Sequence, residues 1–117
     1  STLFPYTTLF RSSGKERAQS TAKVLADHLH PQRGMAAAQG LAPQDDPEIW
    51  KQRLLDVDEN TMLVGHQPHL GKLAALLMTG DKEKTVIHFK LGSVVRLSRV
   101  APGQWAVDWM ITPAIIL

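Results

Sequence analysis

The chain has 117 residues, 44% of them hydrophobic, and a formal charge of +2 at neutral pH. This length fits one domain with a single hydrophobic core. Cysteine is absent, which excludes disulfides, thiolate metal sites and a cysteine nucleophile. Lysine and arginine are scattered, which argues against nucleic-acid binding. There is neither a long apolar run nor a signal-peptide pattern, so we expect no membrane association and a cytoplasmic location.

Residues 1 to 12 differ in composition from the rest of the chain. They contain the triplet Thr-Leu-Phe twice, and their charged residue is Arg11. From Ser13 onward the sequence shows the alternation of capped helices and short apolar strands that is typical of an α/β domain. We therefore interpret residues 1–12 as a non-native tail, which is excluded from the fold assignment, and residues 13–117 as the domain.

The first predicted helix begins near Gly14. Ser13 and Glu16 have the spacing of a capping box, in which each side chain bonds a free backbone N–H of the other residue. Apolar residues follow at helical spacing, and His30-Pro31 ends the helix. The next stretch, residues 32 to 44, has no clear period and is interpreted as a connection with one short helical turn over Met35–Ala38.

A second helix is predicted after Asp46. Asp46 is a suitable N-cap, and Pro47 fits the first helical position. The helical spacing of Trp50, Leu54 and Val57 indicates one buried stripe. The surrounding acidic residues lack the ligand spacing of a calcium loop and are interpreted as capping and solvation.

Thr61–Gly65 is predicted as a strand that runs directly into a turn and a helix. The helix carries its apolar residues at helical spacing, namely Leu70, Leu73, Ala74 and Leu77. Gly80 is suited to the left-handed position that ends a helix. This part of the sequence is therefore a strand, turn and helix unit.

Three further strands are predicted at Val86–Phe89, Ser93–Ser98 and Trp105–Ile111. The last two should form a hairpin, because the sequence between them contains the turn residues Pro102 and Gly103. The period of two in a strand predicts that Trp105, Val107 and Trp109 share one face.

His66 is the residue best placed for chemistry. It follows a strand directly and precedes a helix, which is where open α/β sheets bind ligands. The backbone N–H groups of Gln67 and of residues near His69 would face the same point, and a helix N-terminus favours an anion such as phosphate. Arg17 lies in the first turn of its helix, where a cation is unfavourable unless it has another role. A shared phosphate would provide that role.

Two segments resemble the histidine phosphatase (phosphoglycerate mutase-like) superfamily. Residues 13–21, SGKERAQST, are similar to its Ser-x-x-x-Arg-Ala-x-x-Thr stretch, and residues 62–71, MLVGHQPHLG, are similar to its second-histidine segment. Further matching residues are Phe89, Gly92, Trp109 and Pro113. The pattern is most similar to the SixA-type phosphohistidine phosphatases and covers residues 13 to about 114.

The resemblance implies an α/β three-layer sandwich with a mixed sheet. The implied reaction is dephosphorylation of histidine on a protein, through a phosphohistidine on the enzyme, by a monomer that needs no metal or other cofactor. Arg17 and His66 would be the catalytic residues that hold the phosphoryl group. Ser13, Gly65 and Gln67 would contribute to substrate binding.

The sequence departs from that family at one point, because the Arg-His-Gly motif that carries the nucleophile is absent. In the family this motif precedes the position of Ser13. We therefore expect an N-terminally truncated chain whose first strands are missing or replaced, and which is catalytically incomplete.

Two alternatives remain open. One is a non-catalytic module that binds phosphate or a phosphoprotein with the same pocket. The other is a metal-dependent hydrolase, in which His66 and His69 would bind zinc with a third ligand such as His88. Without a metal, His69 is interpreted as an ordinary residue of the first helical turn.

Overall fold

The structure is a computed structural model that describes residues 9–12, 23, 35–90 and 92–111. In chain order the described elements are strands β1 (Leu9–Ser12) and β2 (Met35–Ala37), helix α1 (Glu48–Leu55), strand β3 (Thr61–Val64), helix α2 (His69–Thr79), and strands β4 (Val94–Ala101) and β5 (Gln104–Ile111). Parallel and antiparallel pairing both occur, in two sheets.

The first sheet is parallel, and β1 lies between β2 and β3. Ser12 at the end of β1 is opposite Ala37 on one side and Val64 on the other, so all three strands end at one edge. Residues 9–12, which belong to the predicted non-native tail, thus form the middle strand of this sheet. The non-native origin of the tail stays a prediction.

The short helical turn predicted over Met35–Ala38 is also wrong, because residues 35 to 37 form β2. Alanine and methionine favour a helix locally, but backbone pairing with β1 overrides that weak preference. The predicted first helix lies outside the described residues except for Lys23, which is helical and exposed.

Helix α1 begins close to its predicted start. The Asp46 carboxylate accepts the N–H of Glu48 at 3.0 Å, which is the capping role expected of it. Trp50 and Leu54 are buried as predicted. Val57 lies beyond the end of the helix, because α1 ends at Leu55.

Helix α2 provides most of the core. Its residues Leu73 and Leu77 form a buried cluster with Leu41, Trp50 and Leu54. The helix ends at Gly80, which has the predicted left-handed conformation with φ of 81°. Neither described helix is long and apolar enough to cross a membrane.

Strands β4 and β5 form the predicted hairpin around a turn at Pro102 and Gly103. A register shift between Arg96 and Leu97 breaks the period of two. The shift leaves Trp105 and Val107 on one face and places Trp109 on the other, so the prediction of one shared face is wrong for Trp109. On the shared face Trp105 packs against the core, whereas Val107 is exposed. The predicted strand Val86–Phe89 is irregular in the structure, although Ile87 is buried.

Arg99 connects this hairpin to the helices. Its guanidinium donates to the carbonyl oxygens of Leu54, Leu55 and Val57 at 3.0, 3.1 and 2.9 Å. These are carbonyls at the end of α1, where a cation is favourable. The guanidinium also lies 5.6 Å from the centre of the Trp105 ring. Arg99 thus holds β4 against α1.

Candidate functional site

The candidate site lies at the edge where the three parallel strands end. Gly65 and His66 follow Val64, the last residue of β3, and lead into α2. Ser12 of β1 is paired with Val64, and Ser13 is the next residue in the chain. Ser13 and Arg17 themselves lie outside the described residues, so their assignment to the site stays a prediction.

Gly65 is needed because the chain after β2 approaches it closely. A Cβ at this position would lie 3.1 Å from the carbonyl oxygen of Leu41 and 3.5 Å from Cδ2 of Leu70. A larger residue would push the backbone away from Leu41, which is fully buried. The glycine therefore fixes how the segment that carries His66 leaves the sheet.

His66 is half-buried and therefore accessible at this edge. Its carbonyl oxygen accepts the N–H of Leu70 at 3.0 Å, which joins its backbone to the first turn of α2. The structure thus confirms the predicted position of His66 between a strand end and a helix start. Its catalytic role stays a prediction.

Gln67 is exposed, and its side-chain oxygen is hydrogen-bonded to helix α2. Its Oε1 accepts the N–H of Gly71 at 3.2 Å, and the N–H groups of Leu70 and Lys72 are also bonded within the chain. The first turn of α2 therefore offers an anion fewer N–H groups than the sequence suggested. The carboxamide nitrogen of Gln67 is still chemically a donor, and its substrate-binding role stays a prediction.

His69 is the residue that sequence reasoning missed. Its side chain is fully buried, and neither ring nitrogen has a hydrogen-bond partner in the described part of the chain. Burial lowers its pKa, Asp45 and Asp46 act in the opposite direction, and the nearby His66 acts with burial. The helical spacing of His69, Leu73 and Leu77 is the signal that predicts this burial.

An open groove of about 500 Å³ adjoins the end of β2. Its lining residues are Ala37, Ala38, Gln39, Gly40, Asp45 and Ile49. Because Ala37 is opposite Ser12, the groove opens at the same edge of the sheet as His66. The Asp45 carboxylate accepts the N–H of Ala42 at 2.9 Å, which fixes one wall of the groove.

The metal site considered from the sequence does not form among the residues that the structure describes. No three histidine, aspartate or glutamate side chains in that part of the chain are placed to hold a metal ion. His69 is buried, whereas His88, the third ligand considered, is exposed.

The comparisons with known proteins agree with this geometry at the level of the fold. No family model and no curated relative matches the chain. A solved structure of the protein histidine phosphatase SixA complexed with tungstate matches with a TM-score of 0.78 and 19% identity. The match covers 89% of this chain and 67% of the SixA chain. The chain has the fold of SixA.

This match confirms the phosphoglycerate mutase-like α/β fold that the two sequence segments implied. The SixA structure contains tungstate, a tetrahedral oxyanion. At 19% identity the likeness is one of fold.

Proposed function

We propose that this chain contains the oxyanion-binding half of a phosphohistidine phosphatase and lacks the nucleophile of the complete enzyme. The observation that carries the proposal is the position of His66, half-buried where β3 ends and α2 begins. Ligands of open α/β sheets bind at such an edge. The likeness to a SixA structure with bound tungstate supports an oxyanion as the ligand.

In this proposal His66 and Arg17 hold the phosphoryl group during transfer. An imidazole N–H and a guanidinium fork both donate to phosphoryl oxygens, and they stabilise the negative charge in the transition state. Ser13, Gly65 and Gln67 contribute polar groups around the same oxygens. A charge-stabilising role of this kind requires no metal or cofactor.

The complete reaction would need a nucleophilic histidine in addition to His66. The Arg-His-Gly motif that would carry this nucleophile is absent from the sequence. A nitrogen of that histidine attacks phosphorus, the bond from phosphorus to the substrate histidine breaks, and the released imidazole takes a proton. Water then attacks the phosphohistidine of the enzyme and releases phosphate. The proposed substrate is a phosphorylated protein, and we propose a monomeric cytoplasmic enzyme.

The test restores the missing motif. A segment that contains a strand ending in Arg-His-Gly is joined upstream of β1, so that the pairing of residues 9–12 is kept, and hydrolysis of a phosphohistidine protein is measured with and without a chelator. We expect hydrolysis that resists the chelator, is inhibited by vanadate, and is lost in Arg17→Ala and His66→Ala. The matched control is His88→Ala, an exposed histidine that should leave turnover unchanged. Turnover that survives His66→Ala would contradict the proposal.

A second candidate is a binding module without turnover. The absence of Arg-His-Gly from the sequence favours it for the chain as it stands. Such a module would bind phosphate equally well before and after the motif is restored, and it would hydrolyse nothing in either form. Activity that disappears with a chelator would instead favour a metal-dependent hydrolase.

A further inference from the structure

The groove beside the end of β2 adjoins the segment that carries His66. The chain passes from the groove directly into Leu41, whose carbonyl oxygen would lie 3.1 Å from a Cβ at Gly65, the residue before His66. The buried His69 is close enough to both Asp45 of the groove and His66 for each of them to shift its pKa. The groove and the candidate site are therefore neighbours along one edge of the sheet.

The wall of the groove is fixed to helix α1. The Gln39 carbonyl oxygen accepts hydrogen bonds from Trp50 Nε1 at 3.0 Å and from Arg53 Nη1 at 2.7 Å. Gly40 has a φ of 89°, and a Cβ at this position would lie 2.9 Å from Cγ2 of Ile49, so glycine is required here. Because these contacts shape the groove in advance, a ligand would bind without the cost of ordering this part of the chain.

The groove carries an excess of negative charge. Asp45 lines it and is half-buried, and its carboxylate is held in place by the Ala42 N–H at 2.9 Å. Residues 35 to 50 include every described residue of the lining, and they contain neither lysine nor arginine but three acids, Asp45, Asp46 and Glu48. Arg53 is bonded to the wall but is not among the lining residues. A concave surface with charge of one sign attracts groups of the opposite sign, here a cation.

The order of the strands determines how far the groove is from His66. Strand β1 lies between β2 and β3, so the ends of β2 and β3 are two strand spacings, about 9.6 Å, apart. An extended polypeptide advances about 3.3 Å per residue, so this distance corresponds to about three residues. A polypeptide whose phosphohistidine is held at His66 would therefore place a residue about three positions away at the groove.

We propose that Asp45 selects phosphoprotein substrates that carry a lysine or arginine about three residues from the phosphohistidine. This inference rests on the proposed function, because it requires the phosphoryl group to be bound at His66. The ammonium or guanidinium group would pair with the Asp45 carboxylate. Its apolar stem would pack on Ile49, which is 41% exposed, and on the alanines of the groove. Asp45 is thus a specificity residue that acts away from the phosphoryl group.

Binding of short synthetic peptides to the whole chain tests this preference. Each peptide has a stable phosphonate analogue of phosphohistidine at its centre and either lysine or glutamate about three residues away, on one side or the other. Fluorescence anisotropy of the labelled peptides gives their Kd values. We expect the lysine peptide to bind about fivefold more tightly than the glutamate peptide on one of the two sides, which is typical of a partly exposed ion pair. The preference should decrease at high salt, because salt screens such a pair.

Asp45→Asn is the variant that isolates the charge. Asparagine keeps an oxygen that can accept the Ala42 N–H, so the wall should hold its shape while the ratio of the two Kd values falls to about twofold or less. The matched control is Asp56→Asn, the same change at the exposed residue after the other end of α1, about 12 Å along the helix. The control should keep the full ratio. Equal Kd values for the two peptides, a ratio that Asp45→Asn does not change, or an equal decrease in Asp56→Asn would overturn the inference.

Two further probes separate this inference from the proposed function. Inorganic tungstate reports on the oxyanion site alone, and peptides with histidine in place of the analogue report on the groove alone. Tungstate binding that is lost in His66→Ala, without any preference for lysine, would overturn the inference and leave the proposed function intact. A preference for lysine that needs Asp45 but neither the phosphonate nor His66 would contradict the proposed function and keep the groove as a site for basic side chains. The absence of both effects would overturn both.

Discussion

The helices and the strands of this molecule differ in how completely they are packed. Helix α2 has six buried residues, and the loop before α1 is held closely against Trp50, whose Nε1 donates to the Gln39 carbonyl at 3.0 Å. In contrast, no residue of β3, β4 or β5 is buried. In the described part of the chain the buried core is therefore formed mainly by the helices and the loop before α1, while the strands keep partly exposed apolar residues.

This difference shows where the stability and the chemistry of the chain are located. Close packing in the helical layer fixes Gly65 against Leu41 and thereby fixes the segment that carries His66. The strands are less buried and contribute less to stability, but their ends form the edge at which ligands of such sheets bind. The following predictions test that division of roles.

The largest effect is expected for Leu73→Ala. Leu73 is 4% exposed and belongs to the buried cluster, so its truncation should lower the free energy of unfolding by about 2–5 kcal/mol. The matched change on a strand, Leu63→Ala, should cost about 1 kcal/mol because Leu63 is only half-buried. Urea unfolding measures both. An equal or larger loss for Leu63→Ala would contradict the division between the two layers.

Arg99→Met should have the next largest effect, because it removes the connection between the layers. The guanidinium donates to three backbone carbonyls near the end of α1, which methionine cannot do. We expect a loss of about 2 kcal/mol in urea unfolding. The control is Arg96→Met, which breaks a 3.2 Å ion pair with Asp108 between half-exposed side chains and should cost less than about 1 kcal/mol. Similar losses for the two variants would refute the connecting role of Arg99.

The smallest effect is expected at His69, and it should depend on pH. Its pKa in the folded chain is below the ordinary value of 6.5, so the unfolded chain binds more protons once the pH falls below about 6.5. The free energy of unfolding should therefore be highest above that pH and decrease as the solution is acidified.

His69→Leu is the variant that isolates this effect. It should remove the contribution of His69 to this decrease. It should also stabilise the chain by about 1 kcal/mol at neutral pH, because it eliminates two buried nitrogens that have no hydrogen-bond partner in the described part of the chain. The exposed residue His88, changed to Leu, is the control and should leave the pH profile as it was. An unchanged profile in His69→Leu would show that His69 does not carry the acid sensitivity.

The sequence predicted most of the helical layer because local rules determine it. Asp46 and Gly80 are conventional start and stop residues, and both have the predicted roles. The two helices follow from the spacing of Trp50 and Leu54 and of Leu73 and Leu77. The burial of His69 follows from the same spacing. Because histidine is polar, however, His69 was interpreted from the sequence as an ordinary residue of the first helical turn.

The strands were predicted less well because pairing across the sheet determines them. Residues 9–12 and 35–37 have no strong strand pattern, and they become strands because each provides a partner for the other. The reverse holds for Val86–Phe89, which has the composition of a strand but no described pairing partner. At the candidate site, the sequence correctly predicted that His66 lies at a strand end. It did not predict the hydrogen bond from the Gly71 N–H to Gln67 Oε1, because that bond depends on the backbone path of the turn.

The central claim is that the sheet edge at His66 binds a tetrahedral oxyanion. Titration of the chain with tungstate, followed through the backbone amide resonances, tests it most directly. We predict saturable shifts at Gly65, His66 and Gln67 that are lost in His66→Ala and Arg17→Ala and retained in His88→Ala. The absence of saturable shifts at these residues, or equal binding by His66→Ala, would contradict the claim.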